Sequence, residues 1–157
     1  MPAWNPNLRS KAAIRTTATR YYVDPSLAAA ALGAGPSDLL SDLRTFGFLF
    51  ETLCVRDLRI YAEALGGSIS HYRDSNGLEC DVVIHLRDGR YGLVQIKLGG
   101  TTEELESATK SLTTFAELIN TKTLGAPAFR MILTGATPVA HRRTDGVYVV
   151  PIGCLRP

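Results

Sequence analysis

Two short polar stretches have residue types that could do chemistry together: residues 79–81, Glu-Cys-Asp, and residues 95–97, Gln-Ile-Lys. Each lies at one end of an apolar segment whose pattern predicts a β-strand. An acid on one strand beside a Gln-x-Lys on the next is nearly the set of groups that metal-dependent phosphodiester hydrolysis requires. Gln95 is the departure, because an active site of this type normally holds a carboxylate there.

The expected role of each side chain follows from what such a reaction needs. Magnesium prefers oxygen ligands and binds through one or two carboxylates together with substrate phosphate. The cation polarises the phosphoryl oxygen and acidifies a water, and a nearby lysine stabilises the developing charge. We therefore expect Asp81 as the main ligand, Glu51 as a second ligand or the holder of a metal-bound water, and Lys97 as the group that orients the nucleophile. Gln95 can offer only a neutral amide oxygen, which is a weaker ligand.

Strand alternation predicts that the strand residues of this group meet. Side chains on a strand point alternately to the two faces of the sheet, so Asp81 is expected on the face opposite to Cys80 and Val82. A tight turn then pairs the two strands antiparallel. This pairing is expected to bring Asp81 next to Gln95 and Lys97.

The elements that must position these residues are predicted from local signals. Ser37 is predicted to cap a long helix that runs to about residue 65, and Glu51 lies at the edge of its apolar stripe, within reach of the two strands. Thr101 followed by Glu104 is a capping box, which predicts the start of a second helix. The other predicted elements are a strand over 20–23, a short helix over 27–32, and strands over 68–73, 78–86, 91–98, 129–133 and 147–150.

This order predicts an α/β fold, with a helix, a three-stranded meander, a second helix and one or two further strands in a mixed sheet flanked by helices. The 157 residues suit one domain, predicted to span residues 19–157 after a basic lead-in segment of residues 1–18. No apolar run approaches the length of a membrane span, and the first residues do not form a secretory signal. We therefore predict a cytoplasmic protein with no membrane partner.

Cysteines and charge narrow the choice of cofactors and partners. Cys54, Cys80 and Cys154 are far apart and form no CxxC motif, which predicts reduced thiols and no zinc site. The net charge of +2 is too small to indicate nucleic-acid binding by itself. The start of the chain is basic without an acid, which fits either a phosphate-facing arm or a solvated leading segment. Its basic residues are Arg9, Lys11, Arg15 and Arg20.

Each candidate residue also has a purely structural interpretation. Asp81 alone is typical of an exposed acid at a strand edge, and Lys97 alone is typical of a solubilising residue on an edge strand. Glu51 can pair with Arg56 or Arg59, or it can join Asp81 and Lys97 in a structural ion cluster. No P-loop motif occurs, so we predict no ATP site in this chain.

The chain resembles a domain of unknown function that ends many prokaryotic AAA-type ATPases. The resemblance rests on motifs distributed over nearly the whole chain. These motifs are Leu8-Arg9-Ser10-Lys11, Arg20-Tyr21-Tyr22-Val23-Asp24-Pro25, Phe46-Gly47-Phe48-Leu49-Phe50-Glu51, His71-Tyr72-Arg73-Asp74, Glu79-Cys80-Asp81, Gln95-Ile96-Lys97-Leu98-Gly99 and Gly146-Val147-Tyr148-Val149-Val150-Pro151.

The resemblance implies a restriction-endonuclease-like core of the PD-(D/E)xK type. It places the Glu-x-Asp motif of the family at Glu79 and Asp81, and the helix glutamate at Glu51. It places the Glu-x-Lys motif at Gln95 and Lys97, so Gln95 departs from the family pattern. The resemblance also implies that an ATPase module and a winged-helix segment precede this domain in a larger protein, of which this chain would be a part or a stand-alone remnant.

Two functions from different classes are compatible with these residues. The first is a nuclease-like accessory domain of an AAA-type ATPase that engages DNA, with magnesium-dependent hydrolysis weakened or lost through Gln95. The alternative is a non-catalytic module that contacts a partner protein or assembles with copies of itself.

Overall fold

The computed structural model describes residues 1–6, 8 and 13–156 of the chain. Local signals explain where several of its helices begin and end. Pro25 opens the first helix, and Gly33 ends it in the left-handed conformation at a φ of 63°. The helices are α1 Pro25–Leu32, α2 Pro36–Ser41, α3 Leu43–Ala64, α4 Thr102–Leu118 and α5 Thr121–Leu124. The strands are β1 Ser68–Arg73, β2 Glu79–His85, β3 Tyr91–Lys97, β4 Phe129–Thr134, β5 His141–Arg142 and β6 Tyr148–Pro151.

The strands form one mixed sheet in the order β1-β2-β3-β4-β6-β5. Strands β1, β2 and β3 are an antiparallel meander, whereas β3, β4 and β6 are parallel and β5 is antiparallel to β6. Helix α4 makes the crossover that a parallel β3–β4 pair requires. The α/β class and the predicted order of helix, meander, helix and strand are therefore confirmed.

The two long helices cover opposite faces of the sheet. Alternate apolar positions of each strand supply the core on each side. On the α3 side the buried residues include Phe50, Cys54, Leu58, Val82, Val94, Ile96, Met131 and Leu133. On the α4 side they include Cys80, Val83, Leu93, Leu112, Phe115, Ile132, Val147 and Val149.

The predicted long helix from Ser37 to residue 65 is wrong, because the chain forms two helices there. Asp42 separates them and caps α3, with its carboxylate accepting hydrogen bonds from the Thr45 amide at 3.1 Å and the Thr45 hydroxyl at 2.7 Å. An aspartate cap competes well with helix continuation. The predicted strand over 20–23 is also wrong.

Parts of the lead-in segment lie along β1. The Trp4 amide donates to the His71 carbonyl at 2.7 Å, and the Arg15 amide donates to the Arg73 carbonyl at 2.8 Å. The ring of Trp4 also lies 5.4 Å from that of Tyr91 on the α4 side. Arg9 and Lys11, two of the four basic residues of the predicted arm, lie outside the described residues. No helix in the described part of the chain is long and apolar enough to cross a membrane.

Candidate functional site

Strand β2 contains a β-bulge at the candidate site. Between two of its pairs with β1, it has two residues, Asp81 and Val82, opposite the single residue His71. An extra residue of this kind bends the strand and changes the direction of the side chains beside it. The bulge therefore sets the position of Asp81.

The predicted alternation of β2 is wrong at the bulge. Cys80 was expected on the same face as Val82, but it packs on the α4 side with Val83, whereas Val82 packs on the α3 side. The extra residue shifts the phase of the strand, so two positions that differ by two residues face opposite layers. Side-chain identities alone carry no signal for this shift.

Side chains replace regular strand pairing where β2 and β3 continue past the bulge. The backbone pairs of these strands extend only from His85 to Val82. Beyond them, the Asp81 carboxylate accepts a hydrogen bond from the Ile96 amide at 2.7 Å. The Gln95 side-chain amide donates to the Glu79 carbonyl, also at 2.7 Å. Both side chains satisfy backbone groups that the ladder would otherwise pair.

The structure brings Asp81 and Glu51 together in one polar cavity of about 270 Å³. Helix α3 presents Glu51, and the Tyr21 hydroxyl donates to its Oε1 at 2.7 Å. The cavity is lined by Thr19, Tyr21, Phe48, Glu51, His71, Tyr72, Arg73, Glu79, Cys80 and Asp81. The predicted approach of the helix glutamate to the strand aspartate is thus observed.

Gln95 and Lys97 are not among the residues that line this cavity. On β3, Val94 and Ile96 pack on the α3 side and Leu93 packs on the α4 side. Alternation therefore directs Gln95 and Lys97 toward the α4 side. The direct contact of Asp81 with β3 is the hydrogen bond from the Ile96 amide.

Asp81 has a strongly perturbed carboxyl group. Its pKa is raised to about 7, chiefly because burial disfavours the charged form. The hydrogen bond from Ile96 and the charge of Lys97 lower the pKa, while the charges of Glu51 and Glu79 raise it. The surrounding groups therefore compensate the ionisation of the Asp81 carboxyl group only in part.

Tyr21 is a member of the site that the sequence did not indicate. Burial, followed by the hydrogen bond to Glu51, raises the pKa of its hydroxyl group, which therefore stays protonated and donates. The charges of Asp81 and Glu79 act in the same direction. Tyr21 and Glu51 are 30 residues apart in the chain, and no spacing rule connects a segment without regular structure to a helix at that distance.

Neither Glu51 nor Lys97 forms a direct ion pair within the described residues. Arg56 pairs with Asp24 and Asp57 instead of Glu51. Lys97 forms no ion pair with any acid of the described residues, although its charge is near enough to lower the pKa of Asp81.

The donor set suits a magnesium-type cation better than a zinc-type one. No group of three or more His, Cys, Asp or Glu residues in the described ranges is arranged to hold a metal ion, and Cys54, Cys80 and Cys154 are free thiols. Two carboxylates, Glu51 and Asp81, face one cavity. Magnesium commonly takes only one or two carboxylates and completes its shell with waters and phosphate, so these residues fit that ion in type.

Comparison with known proteins gave one result. A family model described as a domain of unknown function (DUF4143) matches residues 46–155. The match includes the candidate residues Glu51, Asp81, Gln95 and Lys97, whereas Tyr21 lies before it. No match was found among curated proteins or among solved structures.

Proposed function

We propose that this chain, which belongs to the DUF4143 family of domains of unknown function, is a nuclease-like accessory domain of an AAA-type ATPase. In this proposal it engages DNA, and its magnesium-dependent phosphodiester hydrolysis is weakened or lost through Gln95. The order of helix, antiparallel meander, helix and parallel strand supports a restriction-endonuclease-like core of the PD-(D/E)xK type.

The single observation that carries the proposal is the position of Asp81 at a bulge, facing Glu51 across a polar cavity. Burial and neighbouring acids raise the pKa of Asp81 to about 7. A divalent cation is the partner that would favour ionisation of such a carboxylate, because its charge reverses the local repulsion. Perturbed titratable groups of this kind concentrate at functional sites.

Each residue of the site would have its own role in metal-dependent hydrolysis. Asp81 and Glu51 would hold the cation, which when bound supplies an acidified water and polarises the phosphate. The Ile96 amide and the Tyr21 hydroxyl fix one oxygen of each carboxylate. Gln95 uses its amide group on the Glu79 carbonyl, so it contributes no charge. The site therefore lacks the charged ligand that a carboxylate at position 95 would provide.

A plasmid-nicking assay with magnesium or manganese tests hydrolysis. Wild-type protein is expected to nick slowly, and Asp81→Asn is expected to abolish the activity. Lys97→Ala is expected to reduce it, because the Lys97 charge favours the ionised form of Asp81. Glu103→Gln, at an exposed position in the first turn of α4, is the matched control for loss of an acid. Equal nicking by wild type and the Lys97 and Asp81 variants would leave only the non-catalytic interpretation.

A second candidate function is a non-catalytic contact with a partner protein or with copies of this chain. It is favoured by large apolar side chains that stay exposed on α1, α2 and the start of α3. These are Leu27, Leu32, Leu40, Leu43 and Phe48. Exposed apolar groups concentrated in one region are typical of interaction sites. A strictly monomeric protein in light scattering, together with magnesium-dependent DNA binding, would count against this candidate.

A further inference from the structure

The β5–β6 hairpin forms the edge of the sheet farthest from β1, and it carries an arginine stacked on an exposed aromatic ring. Arg142 on β5 pairs with Tyr148 on β6, and the Arg142 guanidinium carbon lies 5.5 Å from the centre of the Tyr148 ring. Tyr148 is 40% exposed. This cation–π contact orients the guanidinium group without neutralising it.

A second arginine approaches the same hairpin from β4. The Arg130 Nη1 donates to the Thr113 hydroxyl at 2.8 Å, and its Nη2 donates to the Asp145 carbonyl at 2.9 Å. Both acceptors are neutral. Arg130 is therefore held in place by hydrogen bonds to neutral acceptors, although the Asp145 carboxylate lies near enough to interact with its charge.

The two guanidinium groups converge above the hairpin turn. Gly146 adopts a φ of +83°, and a Cβ atom built on it would lie 3.5 Å from Arg142 Nη2 and 3.8 Å from Arg130 Nη2. Both guanidinium groups therefore approach the same position beside Gly146. Like charges at this separation repel each other unless an anion lies between them.

The acidic residue of the turn, Asp145, already has hydrogen-bond partners. The Asp145 carboxylate accepts from Arg143 Nε at 2.9 Å and from the Val147 amide at 3.1 Å. Within the described part of the chain, neither Arg130 nor Arg142 forms an ion pair with a carboxylate. The hairpin therefore presents two arginines that form no direct ion pair, and the acid nearest to Arg130, Asp145, is shared with Arg143.

We propose that this hairpin arginine surface, defined as Arg130, Arg142 and Tyr148, binds the phosphate backbone of DNA. Guanidinium groups match phosphate oxygens in a bidentate manner, and an exposed tyrosine adds a flat contact for sugar or base. The inference rests on the proposed DNA engagement, but it assigns the contact to a different place. Four strand steps separate β2 from β5, which is roughly 20 Å at the usual strand spacing.

Fluorescence anisotropy with the whole chain and a short labelled DNA duplex tests the surface. Arg142→Ala is expected to weaken binding several-fold and to reduce the salt dependence by about one counterion. Arg142→Lys keeps the positive charge, so it is expected to keep the salt dependence while losing part of the affinity. Arg142 is exposed on a two-residue edge strand, and circular dichroism would check that each variant is folded.

Arg44→Ala is the matched control. Arg44 is exposed and lies 5.9 Å from the ring centre of Phe48, but the carboxylate of Asp42 is close enough for Arg44 to lower its pKa. Removing this compensated arginine is expected to leave the affinity and the salt dependence unchanged. An equal loss in Arg44→Ala and Arg142→Ala would overturn the assignment to the hairpin.

The remaining outcomes separate this inference from the proposed hydrolysis. DNA binding unaffected by Arg142→Ala, with nicking that depends on Lys97, would overturn the surface and leave the nuclease proposal standing. DNA binding that depends on Arg142, without nicking, would support the surface and end the hydrolysis proposal. Absence of wild-type DNA binding, or Arg142-dependent binding to phosphatidylglycerol vesicles instead of duplex, would overturn the surface.

Discussion

The groups around Asp81 act on the ionisation of its carboxyl group in opposite directions. The Ile96 amide and the charge of Lys97 favour the carboxylate, but burial, Glu51 and Glu79 favour the neutral acid. The second group prevails, because the pKa rises from its ordinary value of 3.8 to about 7. A folded state that prefers the protonated form loses stability as the pH rises through this interval.

Asp81→Asn is therefore expected to stabilise the metal-free protein at high pH. Asparagine keeps an oxygen for the Ile96 amide but carries no charge. Between about pH 4 and pH 7 the unfolded carboxyl group loses its proton while the folded one keeps it, so wild-type stability falls over that range. Urea unfolding in a chelating buffer should show a gain of about 4 kcal/mol at about pH 8 and little at about pH 4, since a pKa difference of one corresponds to about 1.4 kcal/mol.

The control for this experiment is Glu79→Gln, which removes a more exposed acid of the same cavity. It is expected to change the pH dependence much less than Asp81→Asn. A gain for Asp81→Asn that is the same at both pH values would contradict the assignment of the effect to ionisation.

Gln95→Glu tests whether the missing carboxylate limits metal binding. Gln95 is only 3% exposed and donates to the Glu79 carbonyl. Glutamate would place an oxygen against that carbonyl, so a loss of roughly 1–3 kcal/mol is expected without metal. Magnesium should recover part of this loss and increase nicking above the wild-type rate, as measured by thermal melting and the plasmid assay.

Gln95→Met is the matched variant, because it removes the amide at similar volume without adding a charge. It is expected to lose stability that magnesium does not recover. Equal responses of the Glu and Met variants to magnesium would show that residue 95 does not approach the cation.

Tyr21→Phe isolates the hydrogen bond that holds Glu51. The hydroxyl donates to a partly buried carboxylate at 2.7 Å, and a hydrogen bond to a charged group contributes about 1.5–3 kcal/mol. Urea unfolding should show a loss of this order. Tyr22→Phe, at the neighbouring position that is largely exposed, should be nearly neutral, and similar losses in both variants would contradict the role of the Glu51 contact.

At the scale of elements, helix ends depend on short-range contacts. The Thr101 side chain accepts from the Glu104 amide at 3.3 Å, and the Glu104 carboxylate accepts from the Thr101 amide at 3.0 Å. This capping box was predicted from four consecutive residues and is confirmed. The break at Asp42 uses equally local contacts, but the apolar periodicity continues across it and predicted one long helix.

Thr101→Ala is expected to destabilise the protein by about 1 kcal/mol, because the first turn of α4 loses its side-chain cap. Thermal or urea unfolding would measure the change. Thr102→Ala, one residue inside the helix, is the control and should cause a much smaller change. A neutral Thr101→Ala would mean that another group satisfies the amides at the start of α4.

At the scale of the whole molecule, the pH dependence of stability combines opposing contributions. Burial lowers the pKa values of His71 and His85, which favours their neutral forms in the folded state. Such groups stabilise the fold above their ordinary pKa of 6.5, and this contribution falls as the pH drops below it. Asp81 acts in the other direction, since its contribution falls as the pH rises.

His85→Gln is expected to flatten the acid side of the stability profile. The Nε2 of His85 lies 2.6 Å from the Ser70 hydroxyl, and glutamine keeps a polar group for that partner without binding a proton. Urea midpoints between about pH 5 and pH 8 should fall less steeply on the acid side than in wild type. His141→Gln, at an exposed position, serves as the control, and an unchanged acid slope in His85→Gln would assign the effect to other groups.

The sequence by itself determined the kinds and order of the main elements. The strand runs, the capping box at Thr101 and the turn glycines are local signals, and local signals suffice for the meander and α4. Short elements were not predicted, because two residues of β5 or four of α5 show no period. The candidate acids Asp81 and Glu51 were also found from the sequence, since alternation and helical periodicity directed attention to them.

Only the tertiary structure decided which of these residues face one another. The bulge at Asp81 shifts the phase of β2, so Cys80 and Val82 face opposite layers and Gln95 and Lys97 do not line the cavity of Glu51. The contacts of Tyr21 with Glu51, and of Arg130 with the β5–β6 hairpin, join segments that are distant in the chain. Such pairings depend on how packed layers meet, whereas sequence patterns report mainly the preferences of neighbouring residues.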